Sequence, residues 1–171
     1  MVIWLTGLSG VGKTVIGRRL CELWRRREPS TALVDGDDVR RLLGRDGEDA
    51  YTPAARRDVA ERIAALCGWL DGQGFNVVCC TISAFPEILA ANRARFSRYF
   101  EVFIDAPREV IERRAPSDLY GRARRGEIAN VVGVDLPFSP PTAPNLVVQN
   151  GADAGDPSAI AGRILDKALA A

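Results

Sequence analysis

Residues 7 to 14 read GLSGVGKT and match the pattern G-x-x-x-x-G-K-[ST], a loop that binds phosphate groups. This phosphate loop lies between the β-branched run 2–6 and a helical run. Its three glycines let backbone N–H groups turn toward a triphosphate, and the dipole of the following helix favours negative charge. The motif assigns Lys13 to the β- and γ-phosphates and the Thr14 hydroxyl to Mg²⁺. The predicted nucleotide-binding residues are Gly7, Leu8, Ser9, Gly10, Val11, Gly12, Lys13 and Thr14.

Phosphoryl transfer also needs a group that positions the magnesium ion and the attacking hydroxyl. The candidates are carboxylates that directly follow two of the predicted strands. Asp35, Asp37 and Asp105 all come where ligands gather in open α/β sheets, and the sequence does not rank them. Asp37 either caps the next helix or faces the acceptor as a base or magnesium-ordering group. Arg40 lies one helical turn further, and this pairing of acid and cation suits an anionic acceptor.

Ser83 follows a third predicted strand, in the run Thr81-Ile82-Ser83-Ala84-Phe85. A serine at the end of a strand often does no more than form a hydrogen bond within a turn. Beside a phosphate loop, Ser83 has two further roles open to it, because its hydroxyl could contact the transferred phosphate or be phosphorylated itself. The sequence leaves these alternatives open.

The composition excludes several classes of function. The chain has 171 residues with 47% hydrophobic content, which predicts one domain with a sizeable core. A net charge of +1 argues against nucleic-acid and membrane-surface partners. Histidine is absent, so proton transfer must use carboxylates. The four cysteines lack C-x-x-C spacing, and no secretory or membrane-spanning segment is evident, so we expect buried thiols and a cytoplasmic location.

Strand and helix patterns alternate along the chain, which predicts an α/β fold with a mainly parallel sheet covered on both faces. The candidate strands are 2–6, 32–35, 76–82, 101–105 and 146–149. Pro53 is expected to open a long helix that closes at Gly74. Residues 115–144 contain a short basic helix and then a loop rich in Gly, Pro and Asp. The composition of this segment is equally compatible with an active-site lid and with a poorly ordered surface loop.

Taken together, the motifs resemble those of the adenylylsulfate kinases, which transfer the ATP γ-phosphate to the 3′-hydroxyl of adenylylsulfate. The motifs are GLSGVGKT, DGDDVR at 35–40, Arg56, ISAF at 82–85, VFIDAP at 102–107, LYGRARRGEI at 119–128 and GVDLPF at 133–138. The resemblance implies the adenylate-kinase-like P-loop fold, a three-layer sandwich whose parallel five-stranded sheet has the order 2-3-1-4-5. It also implies that residues 115–144 form a lid on a single domain of residues 1–171, and it allows a homodimer.

The resemblance also assigns roles to individual residues, with ATP and Mg²⁺ as cofactors. It implies that Arg114 packs on the ATP adenine, and that Ser83 is the position phosphorylated in some members. The implied catalytic residues are Lys13, Asp37 and Ser83, and the magnesium ligands are Thr14 and Asp37. The implied residues of the acceptor site are Asp35, Arg40, Tyr51, Arg56, Ile82, Phe85 and Val131.

The chain departs from the family pattern mainly where the acceptor is recognised. Val59 replaces an Asn that contacts adenylylsulfate, Val131 replaces a Phe that stacks on its adenine, and Ser117 replaces a lid Lys. Loss of the aromatic contact and of the side-chain amide would weaken adenine recognition by roughly one to two orders of magnitude. The nucleotide and magnesium residues are almost all retained.

Three hypotheses about function follow. The first is transfer of the ATP γ-phosphate to adenylylsulfate, which would give 3′-phosphoadenylylsulfate and serve sulfate assimilation. The second is a paralogous kinase that acts on a different activated nucleotide, such as a pyrimidine diphosphate derivative. The third is a nucleotide-binding module without catalysis, and the retained Lys13, Thr14, Asp37 and Arg114 argue against it.

Overall fold

The computed structural model describes residues 1–45 and 47–171. Within these residues, five parallel strands form one sheet of order β2-β3-β1-β4-β5, which confirms the expected order. The strands are β1 Val2–Thr6, β2 Thr31–Asp35, β3 Asn76–Thr81, β4 Tyr99–Asp105 and β5 Leu146–Gln149. Strand β4 begins two residues earlier than expected, because Tyr99 and Phe100 continue the pairing with β1. Strand β3 ends at Thr81, because Ser83 adopts a positive φ of 56° that breaks the extended ladder.

Helices connect the strands at the positions that the sequence indicates. They are α1 Lys13–Arg27, α2 Gly36–Leu42, α3 Pro53–Gly72, α4 Pro86–Arg95, α5 Arg108–Arg114, α6 Leu119–Arg124 and α7 Pro157–Ala170. Pro53 opens the long α3 as expected, with the Thr52 hydroxyl accepting a hydrogen bond from the backbone N–H of Ala55. Gly74 follows α3 with a φ of 82°, which suits glycine.

Two apolar cores flank the sheet and make the fold a three-layer sandwich. One core packs α1, α5, α6 and α7 against one face of the sheet, and it includes Trp24 and Ile164. The other packs α2, α3 and α4 against the opposite face, and it includes Trp4 and Ile63. Because both faces are covered, the inner strands β1 and β3 are almost wholly buried, as parallel strands usually are, whereas the edge strand β5 is partly exposed. Because all five strands are parallel, their carboxyl ends lie at the same edge of the sheet, where ligands usually bind in open α/β folds.

The four cysteines are free and buried, as expected. Cys79 and Cys80 are neighbours on β3 and pack into opposite cores, because adjacent side chains of a strand point to opposite faces. None of the helices in the described part of the chain has both the length and the apolar composition needed to cross a membrane.

Residues 115–144 are more firmly packed than the sequence indicates. Although the segment combines a basic helix with a loop rich in Gly, Pro and Asp, Tyr120, Val131 and Val132 are between 1% and 4% exposed. Leu119, Ile128 and Val134 also pack on the core that contains α1. Residues 124–127, in contrast, are exposed. Any lid motion is therefore expected to centre on this exposed stretch.

Candidate functional site

The phosphate loop joins β1 to α1, and its backbone requires glycine. The φ angles of Gly7 and Gly10 are 147° and 88°, in the region that favours glycine. A Cβ at Gly7 would lie 2.3 Å from the carbonyl oxygen of Ile104, and one at Gly10 would lie 2.4 Å from that of Ile111. The loop therefore packs against the backbone of β4 and α5 too closely for a side chain at either position.

Lys13 lies across the mouth of this loop. Its Nζ donates hydrogen bonds to the carbonyl oxygens of Gly7 at 2.9 Å and Leu8 at 2.8 Å. Burial of the ammonium lowers the pKa of Lys13 to about 8, while the charges of Asp37 and Asp35 partly oppose this shift. A lysine held in this way is positioned to exchange its carbonyl partners for phosphate oxygens.

This pKa predicts a pH dependence for ATP capture. In the free protein Lys13 loses its proton above about pH 8, and the neutral amine attracts phosphate less strongly. We expect kcat/KM for ATP, which reports the free enzyme, to fall roughly tenfold from pH 7 to pH 9. Initial rates across this range measure the effect. The Lys13→Arg variant, whatever its residual rate, should have a flat profile because its guanidinium stays charged; parallel declines in both proteins would contradict the prediction.

The carboxylate that contacts the phosphate-loop threonine belongs to Asp35. Its Oδ2 accepts a hydrogen bond from the Thr14 hydroxyl at 2.7 Å, and its Oδ1 accepts one from the Asp37 backbone N–H at 3.0 Å. Asp35 is therefore the N-cap of α2, which excludes the alternative that Asp37 caps this helix. Asp35 is buried, whereas the Asp37 side chain is 83% exposed in the cleft. Asp105 instead accepts a hydrogen bond from the backbone N–H of Ala106.

These groups fit a magnesium ion. Mg²⁺ is usually held by one or two carboxylates, hydroxyl or water oxygens and the phosphates of its nucleotide. Thr14 and Asp35 already lie together at the end of the phosphate loop, and Asp37 follows within the first turn of α2. The expected ligand pair was Thr14 and Asp37. The contacts add Asp35 as the carboxylate that touches the Thr14 hydroxyl.

Two arginines in the lining of the same cleft flank the ring of Tyr51. The guanidinium carbons of Arg40 and Arg56 lie 5.0 Å and 5.2 Å from the Tyr51 ring centroid, on a ring that is 38% exposed. The Nη1 of Arg40 lies 3.4 Å from the Oδ1 of Asp37. The Nη2 of Arg56 donates a hydrogen bond to the carbonyl oxygen of Asn130 at 2.7 Å. Among the described side chains, the buried Nε of Arg40 has no hydrogen-bond acceptor. An anionic ligand here would meet two cations and one unpaired donor.

Ser83 also lines this cleft and has a left-handed conformation, with a φ of 56°. Such a conformation in a residue other than glycine is uncommon and is often found at functional sites. The Trp4 indole N–H donates to the Ser83 hydroxyl oxygen at 2.8 Å, which fixes the hydroxyl. The carbonyl oxygen of Ile82 accepts from Thr6, and Arg57 lies over the Phe85 ring at 4.5 Å.

A single cleft of about 1290 Å³ contains most of the expected site residues. This volume exceeds the roughly 300–1,000 Å³ of a typical small-molecule pocket, so it accommodates two ligands of nucleotide size. The expected residues that line it are Ser9, Gly10, Gly12, Lys13, Thr14, Asp35, Asp37, Arg40, Tyr51, Arg56, Ile82, Ser83, Phe85, Arg114 and Val131. Val11 is buried in the core and Leu8 packs beside Gly133, so these two side chains pack the phosphate loop against the rest of the fold.

Two contacts of the phosphate loop come from residues that the sequence did not single out. Tyr120 donates to the carbonyl oxygen of Ser9, and the side-chain amide of Asn150 donates to that of Val11. Arg114 donates to the carbonyl oxygens of Asn150 and Gly151, which orders the chain after β5. Tyr120 belongs to a motif already recognised, but Asn150 carries no local signal, because its partner lies 139 positions away.

The fold and the cleft together define a P-loop kinase. Comparison with known proteins then gives the family. A sequence profile described as adenylylsulphate kinase matches residues 1–149, and the chain belongs to this family. The protein is accordingly a kinase of an ATP-using family.

Relatives with different named activities are similar to the chain. The cytidine diphosphoramidate kinase of Campylobacter jejuni is 40% identical, with 87% of this chain and 85% of the relative aligned. The adenylyl-sulfate kinase of Paraburkholderia xenovorans is 38% identical, with 86% and 82% aligned. The structure of Mycobacterium tuberculosis APS kinase CysC in complex with AMPPNP and APS has a TM-score of 0.84 and 32% identity, and covers 99% of this chain and 97% of that one.

Proposed function

We propose that the protein transfers the γ-phosphoryl group of MgATP to a hydroxyl of a small, anionic, nucleotide-like acceptor. One observation carries this proposal: the phosphate loop and the Arg40–Tyr51–Arg56 cluster line the same cleft. The first can hold a triphosphate and the second an anionic partner. Catalysis of phosphoryl transfer needs mainly this positioning, together with stabilisation of the developing charge.

In this proposal each side chain has a defined task. Lys13 leaves the loop carbonyls and contacts the β- and γ-phosphate oxygens, while Thr14 and Asp35 would hold Mg²⁺, which neutralises charge on these oxygens. Asp37, exposed in the cleft, accepts or orients the proton of the attacking hydroxyl. Ser83 lies between the two ligands and contacts the transferred group. Arg114 packs on the nucleotide base.

Two acceptors are proposed, and each has its own support. Adenylylsulfate is the first candidate, because the family profile and the Paraburkholderia xenovorans relative carry the name of this kinase. Cytidine diphosphoramidate is the second, because a relative of that name is 40% identical. Val59 and Val131, which replace side chains expected to read adenine, are buried in the cleft wall at 1% and 4% exposure. Small apolar residues there favour an acceptor that needs no aromatic stacking on adenine.

A panel of acceptors distinguishes the candidates. ADP release from MgATP is measured with adenylylsulfate, cytidine diphosphoramidate, and AMP and CMP as controls that lack the second anionic group. We expect turnover with one of the first two, with kcat/KM at least about tenfold above its monophosphate control, because Arg40 and Arg56 bind the second anionic group. Turnover only with the cytidine compound would remove the adenylylsulfate assignment. ADP release that no acceptor stimulates would contradict the proposed reaction.

The cellular setting of the protein is also a proposal. Four free, buried cysteines suit a reducing compartment, so we propose a cytoplasmic location. The homodimer that the resemblance allows stays a prediction, which the molar mass in solution tests.

A further inference from the structure

Two side chains from distant parts of the chain hold the phosphate loop at its backbone carbonyl groups. The Tyr120 hydroxyl of α6 donates to the carbonyl oxygen of Ser9 at 2.9 Å. The Asn150 amide, directly after β5, donates to the carbonyl oxygen of Val11 at 2.7 Å. Tyr120 is 1% exposed, so its hydroxyl has exchanged water for this single backbone partner. Removal of either side-chain donor would leave one carbonyl oxygen of the phosphate loop without this hydrogen bond.

These bonds also determine where the neighbouring N–H groups point. In a planar trans peptide the C=O and the following N–H point in opposite directions. A hydrogen bond that draws the Ser9 carbonyl away from the cleft therefore turns the N–H of Gly10 toward the cleft. In the same way, the hydrogen bond to the Val11 carbonyl turns the N–H of Gly12 toward the cleft. Both glycines line the cleft. Their φ angles are 88° and 95°, and glycine has wide backbone freedom, so external bonds are needed to keep one conformation.

The two donors are themselves held in place. The Arg108 guanidinium lies 4.5 Å from the Tyr120 ring centroid and donates to the carbonyl oxygen of Gly133 at 3.1 Å. The backbone N–H of Asn150 donates to the carbonyl oxygen of Asp105 at the end of β4. Each donor thus acts from a fixed position on an ordered part of the fold.

We propose that Tyr120 and Asn150 are positioning residues that preorganise the phosphate loop, so that the N–H groups of Gly10 and Gly12 face the triphosphate before it binds. The proposal rests on the ATP site of the proposed function. A loop that is ordered in advance loses less conformational freedom on binding, and this raises affinity for the nucleotide. The acceptor site, formed by other elements, is not affected.

The test compares Tyr120→Phe and Asn150→Ala with two matched controls. Tyr99→Phe removes another tyrosine hydroxyl, which donates to Glu101 at 3.1 Å near the start of β4. Asn145→Ala removes another side-chain amide, whose oxygen accepts from the Glu101 backbone N–H at 2.9 Å. Both controls break a hydrogen bond far from the phosphate loop. Affinity for MgATP is measured by calorimetry, and stability by urea unfolding.

We expect each test variant to bind MgATP about fivefold to tenfold more weakly than the parent, with KM for the acceptor within twofold. The controls should bind MgATP within twofold of the parent even where they lose comparable stability. Parent-like affinity in both test variants, or equal weakening in the controls, would overturn the proposal. If Tyr120→Phe does not fold, Asn150→Ala decides alone, because its side chain is only half-buried. A parent protein that binds no MgATP would instead refute the proposed function.

Discussion

Replacement of Lys13 by Ala is expected to lower kcat/KM for ATP at least about a hundredfold. Lys13 is the cation of the phosphate loop, and its Nζ already lies 2.8–2.9 Å from two carbonyl oxygens at the mouth of the loop. Removal of one preorganised group that stabilises developing charge typically costs 10²- to about 10³-fold in rate. Alanine leaves the backbone N–H groups in place, so residual MgATP binding is expected to persist.

The chain offers a matched control for this variant. Lys167 is the only other lysine in the sequence, and it is exposed near the end of α7. Lys167→Ala removes the same charge and should keep parent-like kinetics. Measurement requires ADP release at varied ATP concentration, with the unfolding midpoint of each variant. A Lys13→Ala variant that retains activity within fivefold of the parent would refute the role of the phosphate loop in phosphoryl transfer.

Asp35→Asn is expected to lower kcat about a hundredfold or more, and to raise the magnesium concentration needed for half-maximal rate. The Asp35 carboxylate contacts the Thr14 hydroxyl and is buried, so its charge acts in a poorly solvated site. Asparagine has nearly the same shape without the charge. It is also a good N-cap, so α2 should keep its start and the protein its fold.

Two further substitutions separate the roles of neighbouring carboxylates. Asp38→Asn removes an exposed charge in the same turn of α2, where Asp38 pairs with Arg41 at 3.2 Å, and should leave kinetics unchanged. Asp37→Asn is expected to lower kcat while the magnesium requirement stays near that of the parent, because we propose that Asp37 acts on the acceptor hydroxyl and not on the metal. If instead Asp37→Asn shifts the magnesium requirement and Asp35→Asn does not, then Asp37 is the ligand that orders the metal.

Local patterns were sufficient to predict most of the fold. The five strands and the helix that begins at Pro53 agree with the structure to within one or two residues, and a helix follows the phosphate loop as expected. The reason is that capping, glycine conformation and hydrophobic periodicity act within a few positions along the chain. The strand order did not come from these patterns: it was implied by the resemblance and confirmed by the sheet.

Pairings within the site depended on longer-range packing. The sequence offered three carboxylates of equal standing, and the structure joins Asp35 to Thr14 because α1 and α2 begin beside each other at the carboxyl edge of the sheet. The anchoring of residues 115–144 by Tyr120 was also missed, because composition records how apolar a segment is and not which of its side chains reach the core.

The sequence by itself determined the phosphate loop, the α/β class and the residue types that can handle MgATP and an anion. Only the tertiary structure decided that Tyr120 and Asn150 hold the loop from positions 111 and 139 residues away. The physical reason is that a hydrogen bond requires its atoms to lie about 3 Å apart in a set orientation. For residues this distant in the chain, the packing of helices against the sheet alone sets that distance.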